Sequence, residues 1–93
     1  MNRTEMNRKA RKMIADIAEE KGLYRCELCG STFGVAPAHK ERRIYYKTAE
    51  ALADYKQWIC LCQKCHDKLD DRSQTTKAES DETFERLRGG GKT

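Results

Sequence analysis

The sequence predicts a small α+β domain in which short strands and helices surround two pairs of cysteines. Of the 93 residues, 38% are hydrophobic and 37% are charged, so apolar side chains alone can form only a small core. The five cysteines include two closely spaced pairs, in "CELCG" and "CQKCH". Helical periodicity is found on either side of these pairs, and short apolar runs lie between them.

The first predicted element is a basic amphipathic helix over 5–21, within an N-terminal segment 1–22 that packs on the cysteine-containing module. Thr4 is placed to cap its start and Gly22 to end it. Its basic residues lie in the first half and its acids in the second, which opposes the helix dipole. This charge order does not serve helix stability and favours a binding role. Its apolar residues recur at helical spacing and are Met6, Ala10, Met13, Ile14, Ile17 and Ala18.

The central module is predicted over 23–72. In "TFGVAPAHKERRIYYK" the alternating pattern is interrupted by Gly34 and Pro37, which predicts a short irregular hairpin. "TAEALADYK" predicts a short helix capped by Thr48, and "WICLC" predicts a buried strand. A helix is expected to begin at "QKCHDKLDD". A cysteine knuckle, a hairpin and a helix that carries the second pair form the arrangement called a treble clef.

The C-terminal part is predicted to contain a linker, a helix and a tail. Residues 73–80 are polar and without periodicity, which predicts the linker. A short helix over 81–88 is expected to begin at Ser80, because acids follow in its first turn and arginines in its last. Phe84 is expected to dock it on the body, and 89–93 are expected to be disordered.

The cysteine pairs indicate a structural zinc site. Cys26, Cys29, Cys62 and Cys65 form two pairs, each with a gap of two residues, and 32 residues separate the pairs. Four thiolates complete tetrahedral zinc and leave no open position, so such a site stabilises the fold and does no chemistry. Cys60 shares strand parity with Cys62 and could compete as a ligand, but a buried free thiol is expected.

The chain shows neither a secretory signal nor a membrane span. Its first residues lack the apolar core and small-residue cleavage site of a signal peptide, and no apolar run approaches about 20 residues. We therefore expect a cytoplasmic protein with no membrane partner. In a reducing compartment, cysteines in paired spacings are better interpreted as metal ligands than as disulfides.

Basic residues are concentrated in two places, and the net charge is +4. Two basic clusters, one of them beside tyrosines, are typical of a surface that contacts phosphates, and a solvated face is the alternative. The candidate nucleic-acid-binding residues are Arg8, Arg11 and Lys12 in the first cluster and Lys40, Arg42, Arg43 and Lys47 in the second.

The segments "CELCG", "AHKERR" and "WICLCQKCHDKL" together resemble the HNH endonuclease superfamily. Its small phage-encoded members carry a CxxC pair, a strand with a histidine and a helix that begins with "LCxxCH". The resemblance covers about half of the chain, Cys26–Asp71. It implies that His39 is the general base that activates water, and that His66 binds one catalytic divalent cation, Mg²⁺, Mn²⁺ or Ni²⁺.

The implied chemistry is physically consistent with these residues. Histidine supplies a base of near-neutral pKa, and a divalent cation takes up the charge that develops on the phosphate. Asp70 lies one helical turn after His66 and could complete the cation site. Where the family usually has Asp or His before the base, this chain has Ala38, and Gln57 lies nearest to the position of the family's central Asn.

We therefore expect a zinc-stabilised, HNH-like ββα domain of treble-clef type that binds nucleic acid, with a metal-dependent DNA endonuclease as the expected activity. The alternative is a catalytically inactive HNH-like treble clef that acts as a DNA-binding or protein-binding regulatory module, with a host protein as a further partner. Ala38 favours the inactive module, whereas His39 and His66 together favour the enzyme. A monomer of phage or bacterial type is expected.

Overall fold

A two-stranded antiparallel sheet lies at the centre of the fold, with helices on both of its faces. The computed structural model describes residues 2–89. The elements in chain order are α1 (Arg3–Lys21), β1 (Ala36–His39), α2 (Ala49–Ala53), β2 (Trp58–Leu61), α3 (Gln63–Asp70) and α4 (Lys77–Arg88). Two short 3₁₀ turns, Arg43–Tyr45 and Tyr55–Gln57, lie in the insert between the strands, residues 40–57. The α+β class is thereby confirmed.

The buried strand β2 divides the core into two parts. Successive side chains on a strand point to opposite faces. Ile59 and Leu61 accordingly pack with Ala38 and the cysteine pairs, whereas Trp58 and Cys60 pack with α1. All four residues of β2 are buried, as expected for the predicted strand.

Helix α1 begins two residues earlier than predicted, and its cap is Asn2 rather than Thr4. The Asn2 side chain accepts from the Glu5 backbone N–H at 2.8 Å, and the Glu5 carboxylate accepts from the Asn2 backbone N–H at 3.4 Å. This capping box satisfies two of the free N–H groups at the helix start, which a cap at Thr4 would leave exposed. The predicted end at Gly22 is confirmed, with φ at 71°.

The apolar stripe of α1 packs mainly on α2. Met6 and Ala10 contact Ala49 and Leu52, and Ile14 packs against Trp58 on β2. Thr48 caps α2 by accepting from the backbone N–H of Ala51 at 3.0 Å, as predicted. Helix α1 therefore covers the face of the sheet that lies away from the cysteine pairs.

The predicted hairpin within "TFGVAPAHKERRIYYK" is wrong. Strand β1 pairs with β2, in the register Ala38 opposite Ile59 and His39 opposite Trp58. Residues after β1 turn into the 3₁₀ segment Arg43–Tyr45 rather than into a second strand. The physical reason is burial. All four residues of β2 are buried, so pairing with β2 places β1 in the core, whereas pairing with the basic segment after β1 would leave it exposed to solvent.

Helix α4 also begins earlier than predicted, at Lys77 rather than Asp81, so that 77–80 of the predicted linker are helical. Thr76 is the cap and forms a capping box with Glu79, with bonds of 3.1 and 2.9 Å. Ser80, the predicted cap, is 3% exposed inside the helix. The Thr-x-x-Glu spacing provides two cap bonds, which explains why it prevails over Ser80.

Phe84 docks α4 on the cysteine-containing core as predicted, with Leu87 beside it. Gly89 ends the helix in the left-handed conformation, φ 73°. The rest of the predicted disordered tail, 90–93, lies outside the described residues. None of the helices within 2–89 combines the length and the apolar character that a bilayer crossing needs.

Candidate metal centre and adjoining cleft

Four cysteine sulfurs converge between the loop after α1 and the start of α3. The Sγ atoms of Cys26, Cys29, Cys62 and Cys65, called the cysteine cluster below, all lie within 4.8 Å of one another. The Sγ atoms of Cys29 and Cys62 are 3.6 Å apart. Zinc–sulfur bonds of about 2.3 Å in a tetrahedron place sulfurs roughly 3.8 Å apart. The four predicted cysteines therefore fit a structural zinc ion.

The first pair is held in a tight knuckle. The backbone N–H of Cys29 points at the sulfur of Cys26 at 3.5 Å, and the N–H of Gly30 donates to the Cys26 carbonyl at 2.9 Å. Gly30 adopts φ 81°, a conformation that glycine reaches without steric cost. This turn brings both thiols to one side of the chain.

The backbone around the cluster favours a thiolate at Cys26. Burial raises the pKa of this thiol, but hydrogen bonds from the backbone N–H groups of Cys62, Cys29 and Leu28 outweigh it and lower the pKa to about 6. Because zinc binds the thiolate form, this arrangement prepares the first ligand.

Cys60 lies outside the cluster and is buried, as predicted. Its thiol donates to the carbonyl of Leu23 at 3.7 Å. Burial, followed by the nearby Glu27 carboxylate, raises the pKa of Cys60 to about 11. It is a neutral core thiol on the face of β2 that packs against α1.

Helix α4 is tied to the first knuckle by a buried ion pair. The Arg88 guanidinium donates to both Glu27 carboxylate oxygens, at 2.7 and 2.8 Å, and to the carbonyl of Tyr55 at 2.9 Å. Glu27 also accepts from the backbone N–H of Cys60 at 2.7 Å. The Arg88 and Glu27 side chains are 2% and 11% exposed. The knuckle is thus fixed from outside as well as through its own turn.

A cleft of about 390 Å³ lies beside the cluster, between the end of β1 and helix α3. Six of the predicted site residues line it, namely His39, Lys40, Arg42, Arg43, His66 and Asp70. Arg72 and Glu41 line it as well. Basic side chains therefore outnumber acidic ones in the lining by four to two, and the structure brings six of the ten predicted site residues other than cysteine to one surface.

His39 lies at the end of β1 with its ring half-buried between the insert and the cleft. Its Nε2 is 2.7 Å from the carbonyl oxygen of Leu52. A carbonyl oxygen only accepts hydrogen bonds, so Nε2 carries the proton and Nδ1 keeps a free lone pair. Burial lowers the pKa of His39, the Leu52 contact partly offsets this, and the charge of Arg43 lowers it further. His39 is therefore neutral near pH 7.

His66 and Asp70 form a pair on one face of α3. The Nδ1 atom of His66 lies 3.1 Å from the Asp70 carboxylate. This contact leaves Nε2 of His66 available to a ligand, since a neutral ring then carries its proton on Nδ1. Asp70 therefore orients the ring of His66 through Nδ1, and its carboxylate is also a possible oxygen ligand.

Ala38 provides no donor and faces away from the cleft. It is 1% exposed and packs with Ile59 in the core beside the cysteine cluster. Glu41 lines the cleft, but its carboxylate pairs with Lys77 at 3.1 Å. Among residues 2–89, only the cysteine cluster assembles three or more metal donors within reach of one another.

The remaining predicted basic residues lie outside the cleft. Lys47, Arg8 and Lys12 are exposed, and Lys12 is 3.7 Å from Asp16. Arg11 lines a small pocket on the other side of His39, together with Asn7. The basic side chains of the cleft therefore come from the insert and from Arg72, just after α3.

Sequence reasoning missed Tyr46 and Arg72. Tyr46 is 6% exposed, its ring centroid is 5.5 Å from that of His39, and its hydroxyl donates to Gln57 at 3.0 Å. Gln57 thus helps to hold the insert against His39. Arg72 lies beyond the end of α3 and carries no motif, and only the fold shows that it borders the cleft. The sequence "YY" alone does not indicate which of the two tyrosine rings is buried.

Comparisons with protein-family models, with curated proteins and with solved structures find no significant match to this chain. The chain's own geometry defines the site: a zinc-compatible cysteine cluster and an adjoining cleft with an excess of basic side chains.

Proposed function

We propose that this protein is a zinc-stabilised, HNH-like nucleic-acid-binding protein that cleaves phosphodiester bonds, with DNA as its substrate. The observation that carries the proposal is the meeting of His39, the His66–Asp70 pair and several cationic side chains at one cleft. The order strand, strand, helix in β1, β2 and α3, with one histidine on β1 and one on α3, supports the HNH-like assignment.

His39 is suited to act as the general base. Its proton is held on Nε2 by the Leu52 carbonyl at 2.7 Å, so Nδ1 can accept a proton from water. The water oxygen then attacks phosphorus, the bond from phosphorus to the leaving sugar oxygen breaks, and solvent protonates that oxygen. The lowered pKa, caused first by burial, keeps His39 in the required neutral form.

The proposed divalent cation binds Nε2 of His66, and Asp70 joins it as a ligand by turning its carboxylate away from Nδ1 of that ring, which it contacts at 3.1 Å. Nε2 of His66 is available, and the Asp70 carboxylate is largely exposed beside it. Such cations often take one or two protein ligands and complete their shell with water and substrate phosphate. Mg²⁺, Mn²⁺ or Ni²⁺ bound there would neutralise charge on the scissile phosphate. Ala38 contributes nothing to this set.

The cationic side chains of the cleft are suited to hold the backbone of the nucleic acid. Arg42, Arg43 and Arg72 line the same surface as His39. Guanidinium groups bind phosphate oxygens through two parallel hydrogen bonds, which fixes position as well as charge. Arg43 also lowers the pKa of His39, so phosphate binding and the base are electrostatically linked.

A plasmid-nicking assay tests the proposal. Zinc-loaded protein is incubated with supercoiled DNA and Mg²⁺, Mn²⁺ or Ni²⁺ in turn, beside His39→Ala and His66→Ala. Both variants should lose cutting while keeping one zinc per chain and an unchanged circular dichroism spectrum. Cutting that survives in both variants, or no cutting with any cation, contradicts the catalytic proposal.

The second candidate is a catalytically inactive module that binds DNA or a host protein. The burial of Ala38 favours it, because the cleft then offers only two protein donors to a cation. DNA binding without cleavage, steeply weakened by salt and indifferent to divalent cations, would identify this module. Binding to neither DNA nor added cation would leave the protein-binding alternative.

A further inference from the structure

We infer that the 3₁₀ turn Arg43–Tyr45 presents Ile44 and Tyr45 as a stacking platform for an unpaired base, so that the cleft takes nucleic acid whose bases are not fully stacked. Single strands and interrupted duplexes both supply such a base. The inference rests on the proposed function, because it concerns the nucleic acid that occupies the same cleft.

Ile44 and Tyr45 are large apolar side chains in consecutive, exposed positions. Their exposed fractions are 62% and 67%, whereas the next residue, Tyr46, is 6% exposed. The fold thus buries one tyrosine of the pair and displays the other. The residues immediately before them, Arg42 and Arg43, line the cleft. The apolar pair therefore continues the cationic surface at its rim.

The turn is held in place by the residue that follows it. The hydroxyl of Tyr46 accepts from the backbone N–H of Glu41 at 3.1 Å and donates to Gln57 at 3.0 Å. The carbonyl of Tyr46 accepts from the guanidinium of Arg3 at 3.0 Å. Because these contacts fix Tyr46 at the base of the turn, the backbone that carries the displayed side chains loses little conformational entropy on binding.

The turn also has internal hydrogen bonds that limit its freedom. The backbone N–H of Tyr45 donates to the Arg42 carbonyl, and that of Tyr46 donates to the Arg43 carbonyl, both at 3.0 Å. The ring of Tyr46 in turn lies 5.5 Å from that of His39. The platform is thereby fixed relative to the cleft.

The chemistry of the neighbours favours a nucleobase as the occupant. Arginines bind the phosphates on either side of a nucleotide, and an aromatic ring stacks on any of the four bases. The aliphatic side chain of the preceding residue, Ile44, is suited to insert between bases that are already parted. A perfectly stacked duplex offers neither ring face, so it should engage the arginines but not Tyr45.

Binding measurements with three matched DNA probes test the inference. Fluorescence anisotropy compares a single strand, a duplex with one bulged base and a perfect duplex of the same length, without divalent cation so that no cutting occurs. The native protein should bind the single strand, the bulged duplex or both about ten-fold more tightly than the perfect duplex. Which of the first two is preferred identifies the source of the unpaired base.

Substitutions at two equally exposed tyrosines, Tyr45 and Tyr24, distinguish base stacking from general nucleic-acid binding. Tyr45→Ala should lose the preference, and Tyr45→Phe should keep it, because the ring and not the hydroxyl is used. Tyr24→Ala is the control, since Tyr24 is 69% exposed and lines a groove formed by α1 and the segment before β1, outside the cleft. 2-Aminopurine at the bulge should be quenched by the native protein and not by Tyr45→Ala.

Two kinds of failure are distinguishable. Equal, salt-dependent binding of all three probes by the native protein, or a preference that Tyr45→Ala retains, overturns this inference and leaves the proposed function intact. Failure of the native protein to bind any of the probes overturns the proposed function, and this inference with it. Zinc content and thermal melting of each variant establish that it is folded.

Discussion

The cysteine cluster and the cleft lie side by side and share helix α3, but one is complete and the other is not. On β1, Ala38 faces the core beside the cluster and His39 faces the cleft. On α3, Cys65 points to the cluster and His66, the next residue, to the cleft. The cluster thus has all four ligands of a zinc ion, whereas the cleft has a half-buried histidine, cationic side chains and the two donors His66 and Asp70.

The difference follows from how each set of residues is assembled. The cluster uses two tight turns, each of which brings two thiols together locally, so only the meeting of the turns depends on the fold. The cleft has no local unit, because its residues come from β1, the insert and α3. A structural zinc site needs all four protein ligands, whereas a cation of the kind proposed for the cleft can take ligands from water.

Removal of zinc should have the largest effect. Binding of a structural zinc ion contributes about 10 kcal/mol or more to folding in small domains, and the two core parts here are small. Chelation, or Cys62→Ser, should abolish cooperative thermal unfolding by circular dichroism, and the native chain should contain one zinc. Cys60→Ala is the control and should keep the zinc, because Cys60 lies outside the cluster. A cooperative unfolding transition that persists after chelation would show that the fold does not depend on the cysteine cluster and its zinc.

The next largest effect is expected at the buried ion pair that holds α4 to the first knuckle. Arg88→Ala leaves the Glu27 carboxylate without its partner at 11% exposure and removes the contacts of Arg88 with the rings of Tyr55 and Trp58. Unpairing such a charge costs about 3–5 kcal/mol of unfolding free energy.

Chemical denaturation of zinc-loaded protein measures this loss. Arg86→Ala, on the same helix but exposed, should change stability by about 0.5 kcal/mol or less. Equal stability of the two variants would mean that the knuckle does not depend on α4, and that the metal alone fixes the cluster.

Ala38→Asp tests whether the incomplete cleft can be completed by one substitution. Because Ala38 is 1% exposed and packs with Ile59, a carboxylate there enters the core rather than the cleft. We expect a loss of about 2–3 kcal/mol and no gain in affinity for a divalent cation. Ala38→Val, apolar but larger, distinguishes the effect of charge from that of volume.

Isothermal titration with Mn²⁺ and denaturation curves give the two readouts. A folded Ala38→Asp variant that binds Mn²⁺ more tightly than the native protein would show that position 38 can turn towards His66, and would sharpen the case for an enzyme.

The cluster was predictable from the sequence because the two-residue gap within each cysteine pair determines how close its two sulfurs lie. Two residues between cysteines and a glycine after the first pair specify a knuckle without knowledge of the fold, and Cys60 could be set apart for lack of that spacing. The helices were predictable from their periodicity, although Asn2 and Thr76 prevailed as caps over Thr4 and Ser80. Asn2 and Thr76 each have a glutamate three residues later, whereas Thr4 and Ser80 have Asn7 and Thr83 there, so the capping-box spacing in the sequence already distinguishes them.

The cleft was predictable in its residues but not in its architecture. The pairing of β1 with β2 spans the insert, and no local pattern specifies such long-range pairing. The bond from His39 to the Leu52 carbonyl therefore had no signal in the sequence. The burial of Tyr46 rather than Tyr45 likewise depends on Gln57 and Arg3, which only the fold brings near.

The smallest predicted effect is a pH dependence of stability that arises at His39. Burial lowers its pKa in the folded protein, so in mild acid the unfolded chain binds this proton more readily than the folded one. The resulting penalty is absent above the ordinary histidine pKa of about 6.5, grows as the pH falls below it, and is complete once the pH is below the lowered pKa. His39→Gln, whose amide can still donate to Leu52, should lose less unfolding free energy between pH 8 and pH 5.5 than the native protein. The groups that face His39, namely Arg43, His66 and Tyr46, are unchanged in the variant. Denaturant unfolding of both zinc-loaded proteins across this range measures the difference, and parallel pH profiles would show that His39 is not held neutral by the fold.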